Sequence, residues 1–258
     1  MLRLLRDTSA SSADGAVITL THAGETIAVA LRRMPTARRF TLRVRFAARD
    51  AVLTMPQRAS LRDAREFAER HAAWIAARLN RLPARILFEH GAILPFRGVD
   101  HLVEHRPCSR GTVWIEGRDD APASDEPGFS LCVAGRAEHL DRRLRDHFKR
   151  EARRDLEAAV TRHTHALGLV PRSVGLRDPV SRWGSCSASG SLNFSWRLVL
   201  APPYVLDYLA AHEVAHLVHL DHSPKFWALT RGLCAETERA EAWLAAHGAH
   251  LHKYGAKE

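Results

Sequence analysis

A chain of 258 residues with 46% hydrophobic content carries enough apolar mass for one large domain or two small ones around a real core. Its net charge of +9 invites an anionic partner, a nucleotide or nucleic acid, but the arginines run along the whole chain and no basic block is interleaved with aromatics as stacking platforms require. No run of about 18 apolar residues occurs, which excludes a transmembrane helix, and no membrane partner is expected.

The opening stretch, MLRLLRDTSASSADGA, has only a short apolar patch before small polar residues, so it reads as a frayed tail rather than a signal peptide, and the cytoplasm is the default location. Alternating runs then predict strands in AVITLTH, ETIAVALRR, FTLRVRF and AVLTMP, between Ala16 and Met55. Asp63 to Leu82 repeats apolar residues at helical spacing. A second strand set follows in ILFEHGAILPFRG, HLVEHR, TVWIEG and FSLCVAG, interrupted by an acidic insert, Arg118 to Gly128, that predicts an exposed loop. The character changes after Gly135, which suggests a β-rich part over 1–135 and a second domain over 136–258. Ala137 to Leu167 places Leu140, Leu144, Phe148, Ala152, Leu156 and Val160 on one stripe, and Gly168 closes that helix. SRWGSCSASGSLNFSWRLVL reads as a hairpin turning at Ser189-Gly190, and a helix beginning near Pro203 carries Tyr204 to Val218. The four cysteines are scattered without a CxxC pair, against both a disulfide framework and a thiolate zinc knuckle.

The chemistry is concentrated in AAHEVAHLVHLDHSPKFW, Ala210 to Trp227. His212 and His216 stand four apart, so on a helix they project from one face and fill two corners of a tetrahedral zinc site. Glu213 lies about 100° round that helix, placed to act on a water rather than to ligate. Apolar neighbours surround all three, where unpaired polar groups would be costly to bury. A catalytic zinc needs a third protein ligand and an open fourth position. His219 continues the helical face but lies about 10 Å along the axis from His212, too far for one metal. His222 reaches back if the chain turns at Asp221 to Pro224, and Glu236 is the rival from a later helix.

HEVAHLVHLDHSPKFW, with SRWGSCSASGSLNFSWRLVLAP upstream, resembles the YgjP-like metallopeptidases, relatives of the SprT-like zincins. The resemblance implies an α+β zincin-like metallohydrolase with Zn2+ on His212, His216 and His222, and Glu213 as general base. It also implies a role for the RWGSC segment. Arg182, Trp183, Gly184 and Ser185, with Asn193 on the neighbouring strand, become substrate-binding candidates: an edge on which an extended peptide pairs, Gly184 allowing close approach. Trp183, Phe194 and Trp196 read as core packing first, and Trp227 as packing beneath the site. His252 and Tyr254 read as tail, with oxyanion stabilisation as the alternative. No methionine follows Met55, so a metzincin-type site is excluded. The expected substrate is a peptide or protein. The resemblance also carries a nucleoside-triphosphate pyrophosphatase activity, and a nucleic-acid-binding module with a structural zinc is the non-enzyme alternative. Oligomeric state is not legible.

Overall fold

The computed structural model describes residues 16–45, 49–82, 84–118 and 127–255 of a mixed α+β protein. The N-terminal tail and most of the acidic insert expected as a loop lie outside these residues. Two compact units divide the chain at Pro83/Ala84.

In the first unit β1 (Val17–His22), β2 (Glu25–Met34), β3 (Thr41–Arg45) and β4 (Asp50–Pro56) form one sheet in the order β1-β2-β4-β3, with β2 and β4 parallel. Strict alternation turns Ile18, Leu20, Ile27, Val29, Leu31, Ala51, Leu53 and Met55 to one face, where α1 (Leu61–Arg70) and α2 (Ala72–Asn80) cover them. Ser60 caps α1 by accepting from the Asp63 backbone N–H. The single helix expected over Asp63–Leu82 is broken at His71, whose ψ of 9° departs from helical geometry. The two shorter helices both press small alanines, Ala64, Ala68, Ala72 and Ala76, onto the sheet.

The second unit opens with β5 (Ile93–Phe96), β6 (Val99–Arg106), β7 (Val113–Gly117) and β8 (Phe129–Ala134), ordered β5-β6-β8-β7. Next come α3 (Leu140–Leu167) and a three-stranded sheet of β9 (Ser173–Arg177), β10 (Gly184–Cys186) and β11 (Ser191–Ser195). Its order is β10-β11-β9, which leaves β10 on an edge. A 3-10 turn over Trp196–Leu200 leads into α4 (Pro203–Ala215), then α5 (Pro224–Leu233), α6 (Thr237–His247) and a 3-10 segment over Gly248–Lys253.

The expected stripe of α3, Leu140 to Val160, is buried, and Gly168 ends the helix at φ 63°. The hairpin β10–β11 turns where expected, with Gly190 at φ 78°. The domain boundary expected near residue 135 is corrected. Leu94, Phe96, Val103, Leu131 and Val133 from the second strand set share one core with Leu144, Phe148, Val205 and Val214, so β5–β8 belong with the later helices. Among the described residues no helix is long and apolar enough to cross a membrane.

Candidate metal centre

α4 is apolar on every side; Val205, Leu206, Leu209, Ala210, Ala211, Val214 and Ala215 are all buried. A helix of that kind sits inside the core, so each polar residue on it must find a partner or a purpose. From Tyr208 onward its polar members are Tyr208, His212 and Glu213.

Helical geometry stops at Ala215, three residues before the expected Val218, and His216 becomes the C-cap. The chain then turns, with Val218 and His219 both donating to the Ala215 carbonyl. This early stop makes the site. The His219 carbonyl comes within 2.9 Å of His216 Nδ1, which donates to it and leaves Nε2 free. The turn continues through Asp221, whose carboxylate accepts from the Ser223 N–H at 3.4 Å. Ser223 in turn caps α5 through the Phe226 N–H, with Pro224 in the first turn. His222 is carried back over α4.

The ligand atoms of His212, His216 and His222 all lie within 4.8 Å of one another. His212 Nε2 and His222 Nε2 are 3.3 Å apart. At zinc–nitrogen bonds of about 2.0–2.1 Å, two corners of a tetrahedron stand roughly 3.3–3.4 Å apart, so the pair already has the edge length of a zinc site. Burial, followed by the neighbouring His216 and His222, pushes the His212 imidazole down to about 4, and burial lowers His216 as well. Both are therefore neutral at pH 7, the form in which imidazole ligates. A cluster of three imidazoles is a donor set that fits zinc.

Phe226, fully buried, forms the floor. Its ring stacks on His216 at 4.4 Å and meets His212 and His222 edge-on at 4.9 and 4.8 Å. Trp227, expected beneath the site, instead stands beside His212 and His222 at 5.8 Å.

Two further residues escaped the sequence. Tyr208 Oη lies 3.4 Å from His212 Nδ1 and donates to Glu241 Oε1 at 3.2 Å, so an α6 carboxylate orients the imidazole through a tyrosine. Tyr208 stands one helical turn before His212, a spacing that could have flagged it. Glu241 comes from the same segment as the rival ligand Glu236, but Glu236 sits at the start of α6, paired with Arg239 at 2.9 Å and outside the histidine cluster.

Glu213 is 4% exposed, and among the described residues its Oε2 has no hydrogen-bond partner. Burial raises its carboxyl to about 7, against the pull of the Arg182 charge. Gly184 explains how the carboxyl fits: a Cβ there would collide with Glu213 Oε1. The glycine of RWGSC makes room for the acid.

The remaining candidates divide. Arg182, Gly184, Ser185 and Asn193 line one groove of about 430 Å³ with Arg177 and Pro179. Trp183 does not line it; its ring stacks on His252 at 5.1 Å. His252 and Tyr254 are no loose tail, since Tyr254 bridges to Ile86 and its carbonyl accepts from Arg197 at 2.6 Å.

The sequence model of one family, described as YgjP-like, metallopeptidase domain, matches residues 38–247. No curated protein and no solved structure matches the chain.

Proposed function

The chain belongs to the YgjP-like metallopeptidase family, and on that premise we propose that it is a zinc-dependent peptidase in which His212, His216 and His222 hold the metal and Glu213 is the general base. The observation that carries this reading is the three-imidazole cluster with a buried, unpartnered carboxylate oxygen on the adjoining helical position. Zinc bound there supplies a Lewis acid that polarises a carbonyl and acidifies a water.

The protein's own residues do the rest. Glu213 accepts the proton of the attacking water and returns it to the leaving amine, so one carboxylate serves as base and then acid. Its burial among the core residues of α4 holds the carboxylate away from bulk water. His219, through its carbonyl, and Tyr208 with Glu241 hold two ligand rings in one tautomer and orientation. The free edge of β10 offers backbone groups to an extended peptide, and the groove of Arg182, Ser185 and Asn193 receives its side chains.

The test is hydrolysis of unfolded casein by zinc-loaded protein, with UTP assayed beside it. Glu213→Gln should keep its zinc and lose at least about a hundredfold of the casein activity. Retained activity would place the base elsewhere; UTP hydrolysis alone would replace the peptidase reading with a pyrophosphatase.

A further inference from the structure

The arginines are spread along the chain, but the carboxylates are not. Residues 1–83 hold fifteen arginines against seven Asp and Glu, a net +8 of the chain's +9; residues 84–258 hold 23 Arg and Lys against 22 acids. The nearly neutral second unit contains the histidine cluster, so the charge serves something other than that site. Within the first unit Arg45 pairs with Asp50 and Arg62 with Glu66. Among the described residues Arg32, Arg38, Arg39 and Arg43 make no ion pair. They cluster along β2, the β2–β3 connection and β3, a stretch with no carboxylate between Glu25 and Asp50.

Against the same edge strand the fold assembles aromatics that are far apart in sequence. Phe40 precedes β3, Phe67 comes from α1, His71 from the helix break and Trp74 from α2. Phe40 and Phe67 stack at 5.2 Å and 27°, and Phe67 and His71 at 4.3 Å and 28°, a ladder of three nearly parallel rings. Trp74, 48% exposed, and Arg39 border the resulting groove of about 340 Å³. A buried core would hide such a tryptophan; here it stands open on a groove it shares with Arg39.

We propose that this groove binds single-stranded nucleic acid, its bases stacking on the Trp74 ring and on the open end of the Phe40–Phe67–His71 ladder and its phosphates meeting Arg39 and the adjacent Arg38. Stacking on a π-face requires unpaired bases, which selects single strands over a duplex, and the arginine row supplies the salt-dependent part of the affinity. An acidic protein would satisfy the charge but leave the ring ladder unused. The site stands apart from the peptidase reading, since none of its residues lies in the second unit.

Fluorescence anisotropy of the full chain with a labelled oligo(dU) and oligo(U) of about 20 nucleotides tests it. Saturable binding should weaken at least about tenfold between about 50 and about 200 mM sodium chloride. Trp74→Ala should weaken it at least about fivefold, and Arg39→Gln should lower the salt dependence, each with unchanged far-UV circular dichroism. Preference between the two oligonucleotides identifies the sugar, and either supports the proposal. No binding, equal affinity for heparin or a duplex of the same length, or wild-type affinity in both variants overturns it.

Discussion

The two units bury different things. All the buried polar and charged side chains among the described residues, including His101, His147, His163, Arg197, Glu213 and His252, lie in the second unit. The first unit's core is entirely apolar, with its many charges on the surface. A core of alternating Ile, Val and Leu on a sheet needs only pattern to form. A buried polar group costs stability unless it is partnered or used, so where such groups concentrate marks where chemistry has been built. The comparison therefore sets a unit with a wholly apolar core against one that buries the polar groups of the proposed metal site.

The largest blow to that comparison would come from Gly184. Gly184→Ala adds a Cβ that collides with Glu213 Oε1 and should displace the base by about 1 Å, lowering casein hydrolysis about a hundredfold while zinc content holds. Near-normal turnover would mean that the buried carboxylate is not positioned for catalysis. A smaller effect sharpens it: Tyr208→Phe removes the link between Glu241 and His212, and zinc affinity should fall about tenfold. Unchanged affinity would reduce the relay to packing.

The smallest effect is on stability. Burial holds His147 and His252 down at about 4 in the folded state. A folded pKa below the ordinary 6.5 means that the unfolded chain binds the proton better. The contribution is complete above about pH 6.5 and is lost as pH falls towards 4. Hydrogen exchange corrected for intrinsic rates should show protection declining over that window in α3 and the C-terminal 3-10 segment, and less in β1–β4, whose unit buries no titratable group. Equal decline in both units would contradict the assignment.

Much of this was legible in sequence because it rests on local rules. The alternation of β1, β2 and β4, the stripe of α3, the Gly168 cap and the Ser189-Gly190 turn are each written within one element. The spacing of His212 and His216 and the turn signal at Asp221 to Pro224 likewise pointed to three histidines. What failed to show depends on contacts between distant segments. Phe226 beneath the rings was passed over for Trp227, because adjacent residues on a helix differ by about 100° and only packing decides which points inward. Gly184 facing Glu213 joins a strand to a helix 29 positions later. The boundary at Pro83 rather than near 135 follows from β5–β8 sharing a core with α3 and α4, which no periodicity reveals. The ring ladder of the first unit is dispersed over 32 residues of sequence, so no basic-aromatic block marked it.

The central claim is that three histidines, and no carboxylate, hold the metal. Zinc affinity of His222→Ala and Glu236→Ala, measured by competition with a chelator, tests it most directly. The account predicts that His222→Ala loses zinc by at least about a hundredfold, as loss of one of three ligands should, while Glu236→Ala binds as the wild type does. Retention of zinc by His222→Ala with its loss from Glu236→Ala would contradict the three-histidine site.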